Sequence, residues 1–294
     1  MSVASFDPLN FLARHGLADA RALTVESLPG GYQNQVHRVR GGGIDWVVKR
    51  FSPAAEITLF PNLADAEAMA LRRLSECGAA PRPIAFVEDA EDAPVLVYEF
   101  YAGQPWSGRV APVAGLLRKI AHVDADGFRS VPMVPADILA QGDIFVAECQ
   151  PGSRQRLAAV RPRPVEIAPG PRRLLHTDFG PGNLIEGADG LKAIDWQCPA
   201  AGDPAEDLAA FLSPAFQILY GRAPLTPKEE ESLLQAYGDE QTIDRLRLLR
   251  PFFDWRMAAY CAMRQQKLAE SRPEASERYR LSTRALLERL GKGA

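Results

Sequence analysis

Apolar and polar positions change period several times along the first hundred residues. Between residues 7 and 18, Leu9, Phe11, Leu12 and Leu17 surround an exposed face, which is the spacing of a short helix. The pattern then tightens to that of strands at 23–28, 36–40 and 44–51, with Gly41-Gly42-Gly43 turning the chain between the last two. Short turns between such runs predict an antiparallel meander. A helix is predicted over 63–74, and apolar runs at 81–87 and 94–100 predict a hairpin that closes the sheet. This unit of five strands and one helix ends near Tyr101-Ala102-Gly103. Helical spacing dominates afterwards. Leu116, Leu117, Ile120 and Val123 form a stripe on a helix over 110–124, and a second helix spans 136–148. A short helix near 154–160 leads into an irregular Arg- and Pro-rich connection reaching 172. Asp203-Pro204 and Thr226-Pro227 each read as a cap followed by a first-turn proline. Leu208, Phe211, Leu212 and Ala215 give the first of these helices its buried stripe, and long helices follow at 243–267 and 273–290.

The stretch 174–207 breaks the helical run. Two glycines and a proline between Asp178 and Asn183 forbid a helix and leave a tight loop. Two short apolar runs then flank Gly187-Ala188-Asp189-Gly190, a hairpin signal. Pairing Glu186 with Leu191 sets Asn183 opposite Ile194, with Asp195 beside it and Asp178 over the same end. Two carboxylates and an amide oxygen suit a hard cation such as magnesium, which commonly shares its ligands with phosphate. An isolated Asp-x-x-x-x-Asn is ordinary turn chemistry. Here it sits in a longer run: His176-x-Asp178, Asn183, the hairpin, Ile194-Asp195-Trp196, then Asp203-Pro204-Ala205-Glu206-Asp207.

Other polar residues stand in apolar settings. Lys49 ends a strand-like run, where a lysine either snorkels to water or turns inward. Glu67 shares helical spacing with Leu71 and Leu74, and a glutamate on a buried face calls for a partner. Asp65 points elsewhere, and Glu56 lies in a linker. Gly30-Gly31 between two strands is, taken alone, a hairpin turn. The segment 251–260 is the most aromatic in the chain and reads first as core. The second reading is an acceptor pocket in which rings and Asp254 hold an amine. The arginines of 154–172 read as a solvated linker before an anion site, and Glu229-Glu230-Glu231 as a solvated helix start.

Composition narrows the field only slightly. With 294 residues and a formal net charge of -3, nothing favours nucleic acid as a partner. No run approaches the ~20 apolar residues of a membrane span, and residues 1–7 lack a signal-peptide pattern, so a cytoplasmic location is expected. Cys77, Cys149, Cys198 and Cys261 are scattered without metal spacing and read as reduced thiols. The four histidines do not cluster, which argues against zinc.

The run from His176 to Asp207 resembles the aminoglycoside phosphotransferase and choline kinase family, relatives of the protein kinases. The resemblance covers 23–290, with its specific motifs at 29–49 and 174–208. It implies an α+β, two-lobed protein-kinase-like fold. The N-lobe (1–101) would be an antiparallel sheet with one main helix, and the C-lobe (102–294) mostly helical with a catalytic-loop hairpin. It implies ATP and Mg2+ as cofactors and a small-molecule hydroxyl as acceptor, with no membrane partner. Asp178 would be the catalytic base, Asn183 and Asp195 the magnesium ligands, and His176 and Asp207 supports of the loop. Lys49 would contact the α- and β-phosphates, oriented by Glu67, under a flexible loop containing Gly30 and Gly31. Glu99, Phe100 and Tyr101 would border adenine at the hinge, chiefly through backbone groups.

Thr177 stands where many members have glycine, and Gln197 where acidic or small residues are frequent. Among acceptors, amino alcohols such as choline, ethanolamine or thiamine-like compounds rank ahead of aminoglycosides, with sugars third. The rival readings are a catalytically silent nucleotide-binding module and a protein kinase. The short segment between Asp195 and Asp207 leaves no room for a protein kinase's activation loop.

Overall fold

The computed structural model describes residues 6–28, 34–53, 57–88 and 93–292. Its first helix, α1 (Pro8–Arg14), is opened by Asp7, whose carboxylate accepts from the amides of Leu9 and Asn10. It is shorter than the apolar spacing suggested, because Gly16 takes the left-handed backbone conformation just beyond its end. Strands β1 (Thr24–Ser27), β2 (Gln35–Gly41) and β3 (Ile44–Arg50) form the expected meander. Helix α2 (Ala64–Glu76) and the hairpin of β4 (Pro83–Val87) and β5 (Val95–Glu99) complete the N-lobe sheet. All pairs are antiparallel, in the order β1-β2-β3-β5-β4.

Alternation along these strands sorts the side chains onto two faces. Val39, Val48, Val95 and Val97 pack with Phe11 and Leu12 of α1 on the outer face. Val47, Leu96 and Tyr98 turn inward, toward Leu71 and Leu74 of α2. Lys49 lies two residues beyond Val47 and shares this inner face, where it is only 2% exposed.

The C-lobe begins with β6 (Gly103–Pro105), α3 (Val110–Ala121), α4 (Pro135–Ala147) and α5 (Pro151–Ala159). Strand β7 (Arg173–Leu175), the hairpin of β8 (Leu184–Gly187) and β9 (Gly190–Ala193), and β10 (Ala200–Gly202) follow. The hairpin has the predicted register, with Glu186 opposite Leu191. Two pairings were not anticipated: β6 joins β8, and β7 pairs with β10. Helices α6 (Ala205–Leu212), α7 (Pro214–Leu219), α8 (Pro227–Tyr237), α9 (Glu240–Leu268) and α10 (Pro273–Gly291) complete the lobe. The helix predicted from Asp203 starts two residues later and ends at Leu212. There Ser213 caps α7 by accepting from the amide of Ala215. Helix α9 is the lobe's axis: α4, α6 and α10 all pack on it, and every residue from Phe252 to Met263 is buried. Burial on all sides is what a helix wrapped by neighbours requires. Among the described residues, no helix is long and apolar enough to cross a membrane.

Candidate active site

The loop after β7 is held from several sides. Asp207, in the first turn of α6, accepts from the amides of His176 (2.7 Å) and Thr177 (2.9 Å). The His176 ring is buried and its Nε2 meets the Ile194 carbonyl at 2.9 Å. Burial pulls this imidazole down to about 4, so it is neutral and donates to that carbonyl. The Thr177 hydroxyl donates to the Cys198 carbonyl (2.8 Å), which also accepts from Arg129. Residues 181–183 make one 3₁₀ turn, after which the Asn183 amide donates to the Asp178 carbonyl at 2.8 Å. Gly180 and Gly182 lie flat against the Tyr220 ring, where a Cβ on either would overlap it. That close approach lets the Tyr220 hydroxyl reach Asp178 Oδ2 at 3.5 Å. Burial, then the charge of Asp195, push the Asp178 carboxyl up to about 8.

The hairpin carries Asp195 to the same place, since the Ile194 amide donates to the Asn183 carbonyl (2.9 Å) and extends the register. Lys49 Nζ lies 2.6 Å from both Glu67 Oε2 and Asp195 Oδ1. Burial alone would lower this ammonium, but Asp195 and then Glu67 outweigh it and hold Lys49 above its ordinary value. Burial likewise raises the Asp195 carboxyl, and the Lys49 ammonium overcomes that and brings it below the usual range. Glu67 is buried beside Leu71 and Leu74, on the face that its spacing predicted. Two main-chain bonds tie the flanks of α2 to the Asp195 segment: Leu63 N donates to Gln197 O (2.8 Å), and Ala193 N donates to Ala79 O (2.9 Å). Gln197 also accepts from Asn34, which is bonded in turn to Asn62 and to the Ser52 amide.

Asp195 keeps one carboxylate oxygen beyond the one on Lys49, and Asn183 keeps its amide oxygen. Among the described residues, no group of three or more His, Cys, Asp or Glu could hold a metal. Two oxygen donors beside a cleft fit a magnesium ion whose remaining ligands are phosphate and water.

A cavity of about 570 Å³ joins these residues, lined among others by Lys49, Asp178, Asn183 and Asp195. Phe100 and Tyr101 line it too, Tyr101 being anchored by its hydroxyl on Gly190 O (2.7 Å). Glu99 is not among the lining residues. Its side chain pairs with Arg82 on the surface, and its amide donates to the Arg82 carbonyl. The Phe100 amide is likewise engaged by Asp45 O at 2.9 Å. Gly30 and Gly31 lie outside the described residues.

The aromatic segment divides between core and cavity wall. Phe252, Phe253 and Trp255 are core, whereas Met257 and Tyr260 line the cavity. Asp254 turns away and pairs with Arg289. Of the linker arginines, Arg154 caps the end of α4, Arg161 pairs with Asp143 and Arg172 with Asp126. The cavity residues missed in the sequence include Tyr220, Arg264, Arg278 and Tyr279. Arg264 stands one helical turn after Tyr260, a spacing that would have flagged it.

Comparison with known proteins places this architecture. Curated thiamine kinases of Escherichia coli are 32% identical over 147 residues, a match taking in 48% of this chain and 49% of the relative. The chain thus spans about half the length of the curated relatives it matches. The crystal structure of choline kinase LicA from Streptococcus pneumoniae superposes with a TM-score of 0.67 at 19% identity, over 96% of this chain and 100% of that one. Aminoglycoside phosphotransferase APH(4)-Ia, in a ternary complex with AMP-PNP and hygromycin B, does so with a TM-score of 0.61 at 16% identity, over 98% and 99%. At such identities these two show a shared fold. The model of the phosphotransferase enzyme family matches residues 24–249, and this chain belongs to that family.

Proposed function

We propose that this chain transfers the γ-phosphoryl group of MgATP to a hydroxyl of a small molecule. The observation that carries the reading is the meeting of Asp178, Asn183, Asp195 and Lys49 on one cavity, with Glu67 bonded to Lys49 behind it. A neighbour of the same fold was crystallised with AMP-PNP, an ATP analogue, which accords with ATP as donor. The lobes divide at 101/102, with the nucleotide between them and the acceptor against the C-lobe. Four free cysteines accord with a reducing cytoplasm, where MgATP is abundant.

Phosphoryl transfer asks for placement and charge neutralisation more than for covalent chemistry. Asp178 orients the acceptor hydroxyl and takes its proton as the oxygen attacks the γ-phosphorus. The bond to the β,γ-bridging oxygen breaks, and ADP leaves with that electron pair. Lys49 steadies the α- and β-phosphates, kept in place by Glu67. Asn183 and Asp195 would hold magnesium, which would supply neutralisation of the charge on the phosphate oxygens. Asp207 and His176 fix the loop that aims Asp178.

The test is ADP release across a panel of alcohols, with Asp178→Asn beside the natural protein. Turnover should fall by about 10²–10⁴-fold in the variant, the usual cost of losing a positioned base. A variant as fast as the natural protein would remove Asp178 from the role. Binding of MgATP with no turnover of any alcohol would favour a silent module.

A further inference from the structure

The two ends of the cavity differ in charge. At one end Lys49 is balanced by Glu67 and Asp195. Beyond Asp178 the wall is built from the last turns of α9 and the first of α10. Met257, Tyr260, Arg264 and Leu268 recur at three- and four-residue spacing along α9, so one strip of that helix faces the chamber. Arg278 and Tyr279 of α10 face it, with Arg272 between the helices, and Phe60, Phe216 and Tyr220 close the other sides.

Arg264 lies with its guanidinium carbon 5.8 Å from the centre of the Tyr279 ring, and its buried Nε has no hydrogen-bond partner. Arg278 donates to the Leu219 carbonyl at 3.2 Å. Among the described residues, neither is ion-paired with a carboxylate. Among the described residues, the only lining carboxylates are Asp178 and Asp195, both committed to the proposed transfer itself. The acidic residues that could have received an amine are used elsewhere. Asp254 pairs with Arg289, Glu229 closes a capping box with Thr226, and Glu230 pairs with Arg250. Aromatic faces alone would accept an ammonium, but the guanidiniums of Arg264 and Arg278 in the same chamber oppose it.

We infer that the acceptor is an anion: an alcohol carrying a carboxylate or phosphate on an apolar or aromatic body. This rests on the phosphotransferase reading above and departs from the amino-alcohol ranking of the sequence. The body packs among Phe60, Phe216, Tyr220, Met257 and Tyr260. Arg264 and Arg278 take the anionic group, since a guanidinium fork matches either anion. The hydroxyl reaches Asp178, loses its proton there and forms the new bond to the γ-phosphorus as ADP departs.

The experiment is ADP release from MgATP with four acceptor arms: cationic (choline, ethanolamine, thiamine, an aminoglycoside), neutral (sugars, benzyl alcohol), carboxylated (glycerate, hydroxymethylbenzoate) and phosphorylated (glycerol phosphate). MgATP binding is measured on the same sample. Turnover at least a hundredfold above background is expected in the carboxylated or the phosphorylated arm, and which of the two identifies the anion. Arg264→Gln and Arg278→Gln should each raise KM for that acceptor at least tenfold and leave KM for ATP within twofold. Arg264→Glu should move preference toward the cationic arm. Preference of the natural protein for cationic or neutral acceptors, or arginine variants without effect, would overturn the anionic acceptor and leave the kinase reading standing, whereas MgATP binding with no turnover in any arm would overturn both in favour of a silent module. Absence of magnesium-dependent ATP binding would overturn the kinase reading, and this inference with it.

Discussion

Thr177 holds φ at 64°, a conformation that a β-branched side chain adopts only when its surroundings impose it. The constraint is visible: its amide is bound to Asp207 and its hydroxyl to Cys198. His176 next to it has a testable cost. Its imidazole falls to about 4 in the fold from an ordinary 6.5, so the unfolded chain takes up the proton first as the solution is acidified. The stability it contributes is complete above 6.5 and lost as pH drops toward 4, a loss of about 3 kcal/mol. Urea midpoints should therefore fall more steeply between pH 7 and 4.5 in the natural protein than in His176→Gln. Parallel slopes would show that this histidine is not held neutral.

Among the elements, the contact of α4 with α9 leaves no room for a side chain at Gly142. A Cβ on Gly142 would stand 2.5 Å from Trp255 Cζ3, and the indole is fixed by its donation to Leu157 O at 2.9 Å. Gly142→Ala should cost about 1–3 kcal/mol through overpacking, read as a lowered denaturation midpoint with KM for ATP unchanged. An unchanged midpoint would mean that the two helices part freely. The elements also show what could be read in advance. The meander and the 184–193 hairpin were legible because alternation and turn residues agree there. Strands β6, β7 and β10 have three residues each, too few to display a period. The break between α6 and α7 was signalled by Ser213-Pro214, the same cap-and-proline pair that was read correctly at Thr226. The carboxylate end of the cavity was legible because Asp178, Asn183 and Asp195 flank one hairpin within a short stretch of chain. The arginine-lined end was not, because Phe60, Tyr220, Arg264 and Arg278 meet only through tertiary packing.

Across the whole molecule, the two main-chain bonds at the flanks of α2 bind the lobes together beside the cleft. The amides of Leu63 and Ala193 should exchange with deuterium about as slowly as those of β5, with or without MgATP. Marked protection gained only on nucleotide binding would show that α2 docks late. In protein kinases the placement of the corresponding helix, and with it the lysine–glutamate pair, is a switch thrown by activation-loop phosphorylation. Here the helix carrying Glu67 is moored at both ends to the segment carrying Asp195, and swinging it out would break both moorings. With both moorings made, the Lys49–Glu67 pair stands already assembled, and on the proposed function the transfer would need no prior swing of that helix.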